Sequence, residues 1–326
     1  MPRVLVTRSL PESAIRMLRN AFGHAEVQVF QECRPMAREE LLARVVGIEG
    51  LLPMLTDRVD RELLETAGPQ LRVVANYAVG YNNIDVAAAT ERGVAVTNTP
   101  DVLTETTADL AWALLMAAAR RLGEAERVVR AGGWRGWGPQ FMLGVDVHGK
   151  TLGIVGLGRI GRAMARRAAG FDMRILYYDA QRLAASEEHS LGVEYAPKPL
   201  LLCECDFISI HVPLSPDTRH LFSGDEFKAM KRTACLVNTS RGPVVDEAAL
   251  AQALRDGEIF AAGLDVFEEE PKVLPELLEC ENAVLIPHLG SATHETRAKM
   301  AETAAANVIA ALEERDPPNC VNPEVL

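Results

Sequence analysis

The stretch Thr151-Leu-Gly-Ile-Val-Gly156-Leu-Gly158-Arg-Ile-Gly161-Arg-Ala-Met-Ala-Arg166 constrains the fold more than any other part of the chain. It reads as a short buried strand, a glycine turn and a helix. A glycine-rich turn can be purely structural, so its context decides. Residues 151–155 form a strand-like apolar run, and residues 160–169 repeat with a helical period. Gly156 permits the tight turn, Gly158 lets the backbone approach a pyrophosphate, and Gly161 lets the helix pack closely on the strand. N–H groups at the start of that helix would hold phosphate charge. A second strand, from Met173 to Tyr178, ends in Asp179, 18 positions beyond Gly161. An acidic residue roughly 20 positions on is placed to meet the adenosine ribose. Dinucleotide binding in a parallel α/β domain is therefore predicted.

With 326 residues the chain fits two domains of ordinary size. Its net charge is −11, and no long basic run argues for a nucleic-acid partner. An anionic substrate would have to be met by a few local cations. The first residues read directly as a strand rather than a signal peptide, and no apolar run is long enough to span a bilayer. A cytoplasmic location with no membrane partner is expected. Of six cysteines only Cys203 and Cys205 lie close together, without further ligands at metal spacing. Buried thiols in a reducing compartment are expected, and no metal site.

Short apolar strands alternate with helical patterns, which implies parallel sheets. Strands are expected at residues 3–7, 26–30, 50–54, 71–77 and 94–98, then at 151–155, 173–178, 205–211, 234–238, 261–267 and 283–286. Helices are expected at 12–19, 38–46 and 60–66, the last capped by Asp60, and at 105–121, 226–230, 247–256 and 294–314. The 105–121 helix is apolar around much of its circumference and should be buried between layers or subunits. The loop from Ala78 to Asp85 carries Gly80 and is a candidate ligand loop. The Gly/Pro-rich loop 131–139 carries Trp134 and Trp137, which suits an interface or simple packing.

Ligands of open α/β sheets bind at the carboxyl ends of the strands. Three residues stand just past late strands: Arg241, Glu270 and His288. Each has a bland reading, as a solvated arginine, a member of an acidic surface turn, or a helix cap. Their coincidence at one sheet edge favours a site.

The chain resembles the D-isomer-specific 2-hydroxyacid dehydrogenases along nearly its full length. The resemblance rests on Gly156-Leu-Gly-Arg-Ile-Gly161, Asn238-Thr-Ser-Arg241-Gly-Pro-Val-Val-Asp246, Gly263-Leu-Asp-Val-Phe-Glu-Glu-Glu270-Pro271 and Pro287-His288-Leu-Gly290-Ser291. Through residues 75–85, 97–104 and 149–156 it is most similar to glyoxylate/hydroxypyruvate reductases. The resemblance implies a Rossmann cofactor domain, residues 100–291, and a flavodoxin-like substrate domain, residues 1–99 and 292–326. It also implies a homodimer, as does the apolar 105–121 helix.

The resemblance implies the following roles. Arg241 would pair with a substrate carboxylate, and the backbone N–H groups of Val79 and Gly80 would hold its other side. His288 would be the general acid in reduction, with Glu270 as its hydrogen-bond partner. Thr104, Gly156, Leu157, Gly158, Arg159, Ile160, Gly161, His211, Val212, Pro213, Thr218, Thr239, Ser240, Asp265 and Gly290 match positions that line the cofactor. Asp179 would accept hydrogen bonds from the ribose and repel a 2′-phosphate, so NADH is favoured over NADPH, an expectation that a nearby Arg182 could soften. Met54, Leu55 and the Trp134/Trp137 loop are candidates for selecting the substrate. The implied reaction is reduction of a small 2-oxoacid, glyoxylate or hydroxypyruvate. The rivals are another D-2-hydroxyacid or phosphite dehydrogenase, and a cofactor-sensing co-repressor-like binding protein.

Overall fold

The computed structural model describes residues 1–32 and 34–326. The chain divides into two compact units, residues 1–103 with 292–326, and residues 104–291.

The first unit is a five-stranded parallel sheet. Its strands are β1 (Val4–Val6), β2 (Val27–Val29), β3 (Gly50–Leu52), β4 (Val73–Ala75) and β5 (Ala95–Thr97), in the order β2-β1-β3-β4-β5. Alternation along each strand sends side chains to both faces. Val4, Val6, Leu52 and Val73 pack with the helices Glu12–Phe22 and His294–Leu312. Leu5, Leu51, Val74 and Val96 pack with Arg38–Val45, Arg61–Ala67 and Val86–Glu91 on the other face. Asp60 caps its helix as expected, accepting the Leu63 N–H at 3.1 Å.

β5 is an edge strand, and the end of the chain covers it. Cys320 forms an antiparallel bridge with Thr97, and the Val321 N–H donates to the Val96 carbonyl at 2.8 Å. Asn322 is buried; its Oδ1 accepts the Val96 N–H at 2.8 Å, and its Nδ2 donates to the Val94 carbonyl and the Thr90 hydroxyl. An open edge would otherwise offer its backbone groups to another chain.

The second unit is a seven-stranded parallel sheet. It contains β6 (Thr151–Val155), β7 (Arg174–Tyr178), β8 (Glu194–Tyr195), β9 (Phe207–Ile210), β10 (Cys235–Asn238), β11 (Ala261–Leu264) and β12 (Ala283–Leu285). The order is β12-β11-β10-β9-β6-β7-β8, the doubly wound arrangement, with the strand order reversing between β6 and β9. The helix Thr104–Ala119 is buried through Ala108, Ala111, Leu115 and Ala118 against this sheet's own core. That apolar surface packs inside the unit.

The helices Val86–Glu91, Ala185–Leu191 and Lys198–Glu204, and the two-residue β8, carry no clear period in the sequence. Leu122–Arg130 buries none of its residues. The thiols are not uniformly buried: Cys205, Cys235 and Cys280 are, Cys320 is half-buried and Cys203 is exposed. Cys203 sits in the last turn of the helix Lys198–Glu204, which turns its apolar Leu201 and Leu202 inward instead. Cys33 lies outside the described residues. Among the described residues no cluster of metal-ligating side chains occurs, and no helix is long and apolar enough to cross a membrane.

Replacing Asn322 by Ala leaves the Val96 N–H without its buried acceptor. The expected loss is about 2 kcal/mol of stability, read as a lowered midpoint in urea unfolding.

Candidate active site

The fingerprint lies at the carboxyl end of β6, beside the reversal of strand order. Gly156 has φ +92°, and a Cβ there would stand 2.8 Å from the His211 backbone. A Cβ on Gly161 would stand 2.2 Å from the Gly156 carbonyl oxygen, so only glycine lets the helix Arg159–Ala169 come this close. At Gly158, by contrast, nothing lies within 4 Å of that position, leaving backbone open to an incoming group. Gly158 caps the helix without a side-chain bond to its first N–H groups. Leu157 is buried, Ile160 is half-buried and Arg159 is exposed.

Asp179 follows β7 and folds back on the fingerprint. Its Oδ2 accepts the Leu157 N–H at 2.7 Å and its Oδ1 the Gln181 N–H at 3.1 Å. The carboxylate is thereby held at the mouth of the glycine turn, a contact that spacing could not reveal.

β9 and β10 end in residues with unmet polar atoms. His211 Nε2 is hydrogen-bonded to Ser209 Oγ at 2.8 Å, but its Nδ1 is buried and has no partner. Burial pushes this imidazole down to about 3, so it is neutral at physiological pH. Thr239 Oγ1 is likewise buried and unpartnered. Val212 and Pro213 continue from His211, and Thr218 Oγ1 donates to the Pro213 carbonyl at 2.6 Å, closing that loop. Buried polar atoms rarely go unsatisfied. Two of them at the carboxyl ends of neighbouring strands, with an open glycine turn beside them, fit a polar cofactor such as a dinucleotide.

Asn238, almost fully buried, shapes the turn after β10. Its Oδ1 accepts from Ser240 N and Oγ at 3.0 and 2.9 Å, and its Nδ2 donates to the Arg241 carbonyl at 3.0 Å. Arg241 Nη1 donates to the Ser240 carbonyl at 2.7 Å. Burial lowers the Arg241 guanidinium from its ordinary value, and the nearby Glu270 charge opposes this.

β11 leads into Asp265, which has no exposed surface. Its carboxylate accepts the N–H groups of Leu289 and Gly290, and burial pushes it up. Gly290 is fixed on its other side, its carbonyl accepting from Thr107 Oγ1 at 3.0 Å. Thr104 starts the same helix as Thr107. The turn after β12 thus hangs on Asp265, and His288 stands in it at φ +53°. His288 Nδ1 meets Glu270 Oε2 at 2.8 Å, while Glu270 Oε1 accepts the Phe267 N–H at 3.1 Å. Burial alone would raise the Glu270 carboxyl. The hydrogen bond and charge of His288, the Phe267 N–H and Arg241 together hold it below its ordinary value.

The acidic run 268–270 is not a simple surface turn. Glu268 joins His220 at 2.9 Å and accepts the Glu247 N–H at 3.0 Å, which frees Glu270 alone to face His288.

Val79, Gly80 and Met54 belong to the first unit. The Ala78 carbonyl accepts from Thr99 N at 2.9 Å and the Val79 carbonyl from Asn98 Nδ2 at 2.8 Å. In a trans peptide the N–H points opposite the carbonyl. The N–H groups of Val79 and Gly80 are therefore turned away from those partners. Asn76 Nδ2 donates to the Gly80 carbonyl at 2.9 Å and pairs with Asn83, which in turn donates to the Met54 carbonyl at 3.2 Å. Buried Asp57 accepts the Met54 N–H at 2.8 Å and the Thr7 hydroxyl. These asparagines and Asp57 position the loops that carry Met54, Val79 and Gly80. The sequence does not mark Asn83 and Asp57, whose partners Met54 and Thr7 lie on other segments. Leu55, Trp134 and Trp137 are exposed.

Comparison with known proteins places this geometry. The sequence profile of the D-isomer specific 2-hydroxyacid dehydrogenase NAD binding domain matches residues 112–290. The chain is 55% identical to a glyoxylate reductase of Korarchaeum cryptofilum, over all of this chain and 97% of that protein. A crystal structure from Thermus thermophilus superposes with a TM-score of 0.90 at 45% identity, covering 98% of this chain and 99% of the other. An NADPH-dependent glyoxylate/hydroxypyruvate reductase from Sinorhizobium meliloti, in complex with NADP and malonate, superposes at 0.85 with 33% identity, covering 98% and 96%. The chain binds a nicotinamide dinucleotide and belongs to the D-isomer-specific 2-hydroxyacid dehydrogenase family, enzymes that interconvert small 2-oxoacids and 2-hydroxyacids.

Proposed function

We propose that the chain is a glyoxylate reductase that also accepts hydroxypyruvate and prefers NADH to NADPH. The observation that carries the reading is the His288–Glu270 pair at 2.8 Å, next to a half-buried Arg241, all at the carboxyl edge of the sheet that holds the fingerprint. The glyoxylate reductase relatives support the substrate assignment.

When bound, the reduced nicotinamide supplies a hydride. The chain's residues do the rest. Arg241 offers a planar fork to the substrate carboxylate. Within the first unit, the N–H groups of Val79 and Gly80 are the donors proposed for the substrate. His288 Nδ1 is committed to Glu270, so Nε2 is the nitrogen that gives a proton to the carbonyl oxygen. Arg241 and protonated His288 would stabilise the negative charge that develops on the carbonyl oxygen. His211, Thr218, Thr239, Ser240 and Gly290 line the cofactor with the fingerprint. A reducing cytoplasm suits the unpaired buried thiols.

His288→Ala is expected to lower kcat by about a thousandfold, measured as NADH oxidation with glyoxylate. Glu270→Gln tests the pair by rate. His288, the Phe267 N–H and Arg241 hold the Glu270 carboxyl below its ordinary value, so an ionised carboxylate faces His288 Nδ1. Its replacement by a neutral amide should lower kcat by about tenfold, and an unchanged kcat would take Glu270 out of this role.

The cofactor preference rests on Asp179. Asp179→Ser should raise the NADPH/NADH ratio of kcat/KM about tenfold, and a wild-type enzyme that already prefers NADPH would refute the reading.

We also propose a homodimer. Leu122, Val129, Trp134, Trp137, Phe141 and Leu143 are all exposed within residues 122–143, an apolar group that suits a subunit interface. Light scattering of the wild type should give twice the chain mass, and Trp137→Glu should shift it toward one.

A further inference from the structure

Arg182 follows Asp179 by three positions, on the loop where a 2′-phosphate would arrive. An arginine there should welcome phosphate, because its planar fork matches phosphate oxygens. The fork is already occupied. Arg182 Nε donates to Glu188 Oε1 at 2.8 Å and Nη2 donates to Oε2 at 3.1 Å. The guanidinium also lies over the Tyr195 ring, 5.2 Å from its centroid.

Glu188 is fixed in turn. It lies on the helix Ala185–Leu191, is only 8% exposed, and its Oε1 accepts the Tyr177 hydroxyl at 2.8 Å. Tyr177 is fully buried in β7, and its oxygen accepts the Leu183 N–H at 2.8 Å. Arg182 itself stays largely exposed. The arrangement therefore buries a carboxylate in order to hold a solvated arginine. An exposed ion pair alone would hold Arg182 weakly, but here the acceptor is anchored in the core and engages two nitrogens of the fork. Arg162, on the fingerprint helix, is met by the neighbouring Glu187 at 3.2 Å. One short helix thus places a carboxylate on each of two arginines of this region.

We propose that Glu188, anchored by Tyr177, is a specificity-determining residue that withholds Arg182 from the cofactor's 2′ position and leaves Asp179 to set the preference for NADH. This rests on the Asp179 reading above and extends it. Glu188 neutralises the one side chain on this loop that would otherwise attract the extra phosphate, so the discrimination comes from a masked cation as well as an exposed anion.

The test is steady-state kcat/KM for NADH and NADPH with glyoxylate, in the wild type, Glu188→Gln, Arg182→Ala and the double variant. Glu188→Gln keeps the side-chain volume and removes the charge. It should raise NADPH efficiency about fivefold to tenfold while NADH changes by less than about twofold. The double variant should lose that gain. Arg182→Ala alone should leave both cofactors within about twofold, since the masked arginine meets neither. That arm does not depend on a substitution in the core. The proposal is overturned if folded Glu188→Gln keeps the wild-type ratio or loses NADPH efficiency, or if Arg182→Ala loses NADPH efficiency. Asp179→Ser, measured alongside, separates the two ideas. A shift there with none in Glu188→Gln sinks the clamp alone, whereas a wild type that prefers NADPH sinks the Asp179 reading beneath it.

Discussion

The buried carboxylate of Asp265 is the contact on which the catalytic edge depends. It has no exposed surface, and water contributes nothing to its solvation. Two backbone N–H groups, those of Leu289 and Gly290, take that part. The turn after β12 must close around Asp265, and His288 is then forced into the left-handed region at φ +53°. This region is uncommon for any residue but glycine, although histidine enters it more readily than most. The imposed backbone and the Glu270 bond to Nδ1 leave the ring one free nitrogen and one direction. Asp265 therefore works through architecture, whatever contact it also makes with the cofactor.

Parallel sheets explain why such residues collect in one place. Every strand in the second unit runs the same way, so Gly156, Asp179, His211, Thr239, Asp265 and the turn of His288 all leave the sheet from one edge. The apolar strands carry no chemistry and need none. Val155, Ile210, Val237 and Leu264 bury both faces of the sheet, and the polar residues begin one or two positions later. Function is thus written in the loops, while the strands fix where those loops start.

What the sequence made legible follows the same division. Strands announce themselves by short apolar runs, the fingerprint by three glycines, and the Asp60 cap and the Gly257 stop by local backbone needs. Each of these is decided within about ten residues. Asn83 with Met54, Asp57 with Thr7, and Glu268 with His220 are decided by contacts between separate segments. An asparagine at a strand end looks the same whether it meets water or holds a ligand loop. The helix Leu122–Arg130 is a different case: Leu122, Ala125, Val128 and Val129 recur at helical spacing, yet none of its residues is buried in this chain's own core.

An acidic chain that handles an anion must place its positive charge locally, and the surroundings of Arg241 indicate why that charge is a guanidinium. The net charge of −11 disfavours an anion at long range, and salt screens that field beyond about 8 Å. Attraction must come from a group desolvated enough for its charge to be felt. Desolvation works against any cation and lowers Arg241 from its ordinary value. The ordinary value of a guanidinium stands further above neutrality than that of an ammonium, so a guanidinium keeps its charge better where burial lowers both. Glu270 supports the charge from the side, and its own ionisation is supported by Arg241 and His288. Glu270 thus links the other two: it bonds His288 Nδ1, and its charge opposes the desolvation of Arg241, so removing that one charge withdraws support from Arg241.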